Sequence, residues 1–209
     1  MFALAIAAII GFIIGTRRAK RAQRTINELG SFNKLPVIPI GIIAAAIAAQ
    51  LLNQFAFSWE LFAYGLMCAM CIEQSLIDIT THRLTRSVTM RAAFLGGPLL
   101  SIAAIANNHP GKIGVMAISF TATLLTFMTL SFVSKRGIGA GDVRLATVVA
   151  MFLGYLGATY VFQGLALSFM LGGVVALLLL ISRKANRNTR IAFGPYICIG
   201  AMAVVLFGV

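Results

Sequence analysis

Acidic residues are scarce in this chain. Five of its 209 residues are Asp or Glu and 17 are Lys or Arg, so the formal net charge is +12. On a soluble protein this excess of positive charge would suggest nucleic-acid binding. Here the basic residues form short clusters between apolar runs, without the interleaved aromatic residues on which bases stack. We therefore expect no nucleic-acid partner.

Cysteine is also rare, and all three cysteines, Cys68, Cys71 and Cys198, lie inside apolar runs. Cys68 and Cys71 form a CxxC pair, a spacing found in metal and redox sites. A structural zinc ion usually needs four ligands, and the sequence has no second pair. We therefore expect no metal site, and we interpret these cysteines as small apolar packing residues.

Polar residues are too few to cover a water-exposed globule. Apolar residues make up 60% of the chain, against about 45–50% in soluble domains. Most of the apolar runs approach the roughly 20 residues that a transmembrane helix needs, and they lack the alternation of barrel strands. The sequence predicts an all-α polytopic membrane helix bundle of about eight transmembrane helices, forming a single domain over residues 1–209. The predicted spans are 2–16, 37–57, 61–77, 88–106, 113–133, 143–156, 160–181 and 191–209.

The distribution of basic residues orients this bundle. Each connection with two or more basic residues falls on one side of an eight-span arrangement; these connections are 17–34, 78–87, 134–142 and 182–190. The positive-inside rule makes that side the cytoplasm, with both termini outside. Basic loops are attracted to anionic headgroups, so membrane lipids are expected partners. We predict a multi-pass protein of the cell membrane with cytoplasmic basic loops.

Two aspartates lie at the cytoplasmic edge of predicted spans. Asp78 ends the third span and Asp142 begins the sixth. Ionisable groups at membrane depth usually face the bundle interior. Two carboxyl groups that share a site cannot easily both ionise, so one keeps a proton while the other can activate water. Such a pair would suit an aspartic protease. The alternative is that each aspartate caps a helix or pairs with an arginine.

The remaining acidic residues receive weaker predictions. Glu28 and Glu60 lie in loops or at span ends, where a solvated structural role is expected. Glu73 precedes Asp78 by five positions, which places it about 140° around a helix and off the Asp78 face. His82 is close to Asp78 in the chain and is expected in a solvated loop. The roles of Glu73 and His82 stay open.

A Gly-x-Gly-Asp motif surrounds the second aspartate, as Gly139-Ala140-Gly141-Asp142. Glycine allows backbone conformations closed to other residues and lets another chain approach closely. This pattern suits a site where an extended peptide must reach a carboxylate. Alone it is a weak signal, because glycine-rich turns are common.

Three segments together resemble the type IV prepilin peptidases, a family of GxGD aspartic proteases. They are residues 76–85, 139–154 and 191–196, in the order that the family has, and the resemblance covers 62–209. It implies an intramembrane aspartic endopeptidase that removes the leader peptide of prepilin-like membrane precursors. Cleavage would follow a Gly at the cytoplasmic membrane face, without a cofactor or a metal.

The resemblance also assigns site residues. It implies that Asp78 and Asp142 are catalytic. The predicted substrate-binding residues are Gly139, Gly141, Gly194 and Pro195. Pro195 is further expected to kink or open the last helix, which would help a peptide to enter.

The chain departs from the family pattern near its N-terminus. Larger members carry a cytoplasmic loop with two zinc-binding CxxC pairs, whereas 17–34 has no cysteine. In bifunctional members the N-terminal region is tied to methylation, so S-adenosylmethionine is expected only if that activity is retained. Thr85 also stands where many members have Pro.

Two other functions stay open at this stage. One is a related GxGD protease for other membrane substrates. The other is a non-catalytic membrane transporter or assembly scaffold. Transporters often consist of two related halves, and the sequence has no such internal symmetry.

Overall fold

The computed structural model describes residues 2–30, 34–133, 138–182 and 192–208, and within these ranges the regular secondary structure is entirely helical. The helices are α1 (Phe2–Glu28), α2 (Val37–Phe55), α3 (Trp59–Thr81), α4 (Arg86–Ala106), α5 (Gly111–Val133), α6 (Ala140–Leu156), α7 (Ala158–Ile181) and α8 (Gly194–Phe207). Helices α2, α3, α4, α5 and α7 are long and apolar enough to cross a membrane. The predicted polytopic helix bundle is confirmed.

Helices α3, α6 and α8 form the core of the bundle. Helix α3 packs against α1, α2, α4, α6 and α8, while α6 packs against α3, α4, α5, α7 and α8. The largest fully buried side chains come mainly from α3 and α6 and include Tyr64, Met67, Met70, Leu145, Phe152 and Leu153. Helices α6 and α8 are the shortest, with 17 and 14 residues, and most of their residues are buried.

The outer helices turn large apolar side chains outward. The most exposed of these include Phe94, Ile118, Phe132, Phe162 and Ile181. Patches of this kind are unusual on soluble monomers, but hydrocarbon solvates them well. The packing therefore agrees with a chain that is surrounded by lipid.

The three cysteines confirm their interpretation as packing residues. Cys68, Cys71 and Cys198 are buried free thiols that belong to the main hydrophobic core. Among the residues that the structure describes, no cluster of His, Cys, Asp or Glu could hold a metal ion.

The predicted end of the first helix at residue 16 is wrong, because α1 continues to Glu28. Ala19, Ala22 and Ile26 in this extension are fully buried, and their spacing of three and four residues places them on one face. Arginine, lysine and glutamine are also good helix formers. The basic residues thus belong to an amphipathic continuation of α1.

The predicted solvated role of Glu60 is also wrong, whereas Glu28 is exposed as expected. Glu60 lies in the first turn of α3 with only 9% of its surface exposed. Its Oε1 accepts hydrogen bonds from the Asn107 amide and from the Tyr155 hydroxyl, at 2.5 and 2.6 Å. A buried carboxylate requires such partners, and here they come from α6 and from the end of α4.

Candidate active site

Asp78 lies in the last turn of α3 and is buried, with 4% of its surface exposed. Its Oδ2 accepts a hydrogen bond of 3.0 Å from the backbone N–H of Gly194. Gly194 is the first residue of α8, where backbone N–H groups have no partner within the helix and the helix dipole favours negative charge. The start of α8 therefore holds and orients the Asp78 carboxyl group.

Asp142 lies in the first turn of α6. Its Oδ2 accepts a hydrogen bond of 3.2 Å from the backbone N–H of Gly139, three residues earlier. This is the reciprocal half of a capping box, in which the third helical residue bonds back to the residue before the helix. The Gly-x-Gly-Asp motif thus forms a tight turn that fixes the second carboxyl group.

The fold brings these two carboxyl groups, which are 64 positions apart in the sequence, to the same end of the bundle. Gly141, next to Asp142, and Gly194, which donates to Asp78, both pack against the side chain of Leu84. Helices α3, α6 and α8, which carry the two aspartates and Gly194, contact one another directly. Two acids with separate backbone donors therefore lie at the same end of the bundle.

Leu84 packs against two of the predicted substrate-binding glycines. A Cβ atom on Gly141 would lie 2.9 Å from Cβ of Leu84, and one on Gly194 would lie 3.0 Å from its Cδ2. Both distances are shorter than ordinary carbon–carbon contacts of about 3.5–4.0 Å. These positions hence suit glycine because Leu84 approaches so closely. A contact between Gly139, Gly141 or Gly194 and a substrate stays a prediction.

Pro195 does not kink the last helix. It occupies the first turn of α8, which begins at Gly194. Proline suits this turn because its missing N–H would have no partner there and its φ angle is already helical. The predicted kink is therefore wrong. A contact between Pro195 and a substrate stays a prediction.

Glu73 and His82 have different surroundings. Glu73 is buried, and its Oε2 accepts a 2.7 Å hydrogen bond from Nη1 of Arg18 in α1. Asp78 is bonded to α8 instead, which agrees with the prediction that the two acids do not share a helix face. His82 is exposed and ends α3 in the left-handed conformation, with φ at 51°.

Gln74 is a site residue that the sequence analysis missed. It is fully buried in α3, one helical turn before Asp78. Its side-chain amide bonds the backbone of Thr85, next to Leu84. The sequence feature that indicates such a residue is an uncharged polar side chain within an apolar span, four positions before an aspartate.

Comparison with known proteins assigns the chain to a family. The family model for the type IV leader peptidase family matches residues 65–181, which is more than half of the chain. The chain belongs to the type IV leader peptidase family. The matched region contains Asp78 and Asp142, whereas Gly194 and Pro195 lie beyond its end.

Several curated relatives carry the name prepilin leader peptidase/N-methyltransferase. The protein from Stutzerimonas stutzeri is 29% identical over 159 residues, covering 74% of this chain and 52% of the relative. The one from Pseudomonas aeruginosa is 27% identical over 177 residues, covering 81% of this chain and 57% of the relative. The one from Xanthomonas campestris is 22% identical over 171 residues, covering 81% and 58%. The chain thus spans little more than half the length of these relatives. No solved structure matches it significantly.

Proposed function

We propose that this chain is an aspartic endopeptidase that removes leader peptides from type IV prepilin-like precursors, with Asp78 and Asp142 as its catalytic residues. Membership of the leader peptidase family supports the reaction, and the names of the relatives support the substrate class. The observation that carries the assignment of residues is the packing of Leu84 against both Gly141, next to Asp142, and Gly194, the donor to Asp78, at one end of the bundle.

The proposed mechanism uses the two carboxyl groups in opposite protonation states. Two carboxyl groups that share a site cannot easily both ionise, so one group keeps its proton. The ionised group takes a proton from a water molecule while the water oxygen attacks the scissile carbonyl carbon. The protonated group gives its proton to the carbonyl oxygen. The tetrahedral diol then collapses: the C–N bond breaks, the nitrogen receives the proton that the first group had taken, and one diol hydroxyl returns its proton to the second group. This step leaves a carboxylic acid and restores both aspartates to their starting states.

The backbone donors preorganise this pair. The N–H of Gly194 and that of Gly139 each hold one carboxyl oxygen. Each carboxyl group is thereby restrained in orientation before substrate arrives, which lowers the entropic cost of reaching the reactive geometry. No metal or cofactor takes part in the proposed step.

The basic end of α1 supports a cytoplasmic location of the site. Arg18 reaches Glu73 in α3, and Ala22 and Ile26 pack against Ile77, the neighbour of Asp78. The basic cluster and the proposed catalytic pair therefore lie at the same end of the bundle. By the positive-inside rule this end faces the cytoplasm. A precursor with a basic leader, a Gly and then an apolar helix would present its cleavage point there.

The test is leader removal from a membrane-inserted prepilin in cells that lack other prepilin peptidases. Asp78→Asn and Asp142→Asn should each abolish cleavage while the protein still inserts. Glu28→Gln, which changes an exposed acid at the end of α1, is the matched control and should cleave normally. Full processing by either aspartate variant would contradict the catalytic assignment.

Mass spectrometry of the product tests the finer points. A new N-terminus directly after Gly would support cleavage at the prepilin junction. Cleavage at another position, or of other membrane proteins only, would favour a related GxGD protease instead. Transfer of a labelled methyl group from S-adenosylmethionine to the product tests separately for the N-methyltransferase activity that the relatives' names include.

A further inference from the structure

The connection between α3 and α4 holds the proposed active site together. It carries Leu84, whose side chain packs against Gly141 before Asp142 and against Gly194, the donor to Asp78. Leu84 is half-buried and packs on the main hydrophobic core. The relative placement of the two aspartates therefore depends on where this connection lies.

Gln74 fixes the connection. Its Nε2 donates to the backbone oxygen of Thr85 at 2.9 Å, and its Oε1 accepts from the backbone N–H of Thr85 at 3.0 Å. The same Nε2 donates to Oγ1 of Thr89 at 2.6 Å. One side-chain amide thus binds both backbone groups of a single residue, as a neighbouring β-strand would.

The placement of this amide is costly without its partners. Gln74 is fully buried, and a buried amide requires hydrogen bonds to offset its loss of water. Its partners lie on the residue directly after Leu84 and on the first turns of α4. Gln74 also shares a helix face with Asp78, because the two are four residues apart. The clamp and the catalytic carboxyl are therefore built on the same face of α3.

We propose that Gln74 is a positioning residue of the active site: it clamps Thr85 so that Leu84 stays wedged between Gly141 and Gly194. The inference rests on the proposed protease function. Loss of the clamp should let Leu84 move and let the two aspartates drift from their reactive geometry. Since Gln74 is fully buried, we expect it not to touch the substrate, so the effect should appear in kcat and leave KM nearly unchanged.

The experiment compares Gln74→Met with Leu84→Ala and with the double variant, using purified enzyme and prepilin in proteoliposomes. Methionine keeps the length of glutamine and removes its hydrogen bonds. Each single variant should lower kcat at least tenfold and change KM less than twofold. The double variant should lose no more than the worse single variant, because both changes interrupt the same link.

The matched control is Gln50→Met. Gln50 also uses its side-chain amide to bond a backbone oxygen, that of Leu206, but this contact lies near the opposite end of α8. Its kcat should stay within twofold of the wild-type value. Wild-type kcat in Gln74→Met, or multiplicative losses in the double variant, would overturn the proposal. If Gln74→Met inserts poorly, Leu84→Ala carries the test, and wild-type kcat there overturns the proposal.

Wild-type enzyme and Asp78→Asn are measured in the same assay. An inactive wild-type chain, or an active Asp78→Asn variant, would overturn the proposed function. With an active wild-type chain and an inactive Asp78→Asn variant, a normal kcat in Gln74→Met overturns only the positioning role. The two failures are therefore distinguishable.

Discussion

Replacing Gly194 with alanine should impair catalysis without unfolding the protein. The new methyl carbon would lie 2.7 Å from Oδ2 of Asp78 and 3.0 Å from Cδ2 of Leu84. Even attractive C–H···O contacts have carbon–oxygen distances of about 3.3–3.6 Å. The carboxyl group must therefore move by roughly half an ångström or more, and its 3.0 Å hydrogen bond from the Gly194 N–H is strained or lost.

The size of the effect follows from that hydrogen bond. A hydrogen bond to a charged group contributes roughly 1.5–3 kcal/mol, and about 1.4 kcal/mol in barrier height corresponds to a tenfold change in rate. We therefore expect kcat to fall on the order of 10- to 100-fold. The fold should persist, because the change is in the first turn of α8 and alanine is a good helix former.

The assay is the initial rate of leader removal in proteoliposomes, together with thermal unfolding followed by circular dichroism. Gly65→Ala on α3 is the control, because a Cβ atom there would meet nothing within 4 Å. Its rate should equal that of the wild-type enzyme. A Gly194→Ala variant that folds and cleaves at the wild-type rate would show that Asp78 does not depend on this contact, and would refute the proposed preorganisation.

Two further predictions concern stability. Arg18→Met leaves Glu73 buried without its partner, so we expect the free energy of unfolding to fall by roughly 3 kcal/mol. The melting temperature should fall accordingly, and adding Glu73→Gln should largely restore it. An unchanged melting temperature in Arg18→Met would contradict a stabilising role of this ion pair. Tyr155→Phe removes one hydrogen-bond donor to Glu60, so the free energy of unfolding should fall by roughly 1.5–3 kcal/mol. The melting temperature should fall with it. The kcat of Tyr155→Phe should stay within twofold of the wild-type value, since Glu60 and Asp78 are 18 positions apart on α3, which is roughly 27 Å. A large loss of activity would show that the two ends of α3 are coupled.

The apolar runs predicted most of the bundle correctly. The bounds of α2 to α8 agree with the predicted spans to within four residues, because long runs of apolar residues in a membrane chain leave little choice but helix. The end of α1 does not follow from the apolar run, because a basic segment after such a run is equally typical of a loop. Burial of Ala22 and Ile26 against α3 extends it instead, and that contact is tertiary.

The acidic residues show the same difference between local sequence features and tertiary contacts. The depth of Asp78 and Asp142 and the Gly-x-Gly-Asp turn predict both residues as site residues, and both features are local in the sequence. The burial of Glu60 depends on donors from two distant helices. The role of Gln74 depends on where the next connection runs. Local patterns thus indicate which residues can react, whereas their supporting partners emerge only in the folded bundle.

The hydrogen bond between Asp78 and Gly194 has a consequence for biosynthesis. The donor follows the acceptor by 116 positions, and ribosomes add about 5–20 residues per second. Asp78 is therefore made roughly 6 to 23 seconds before the backbone group that orients it. Asp142 is added 64 positions after Asp78, so for the last 52 positions the growing chain contains both aspartates but not the Gly194 N–H group. Under the proposed mechanism, we expect peptidase activity only after α8 has been made.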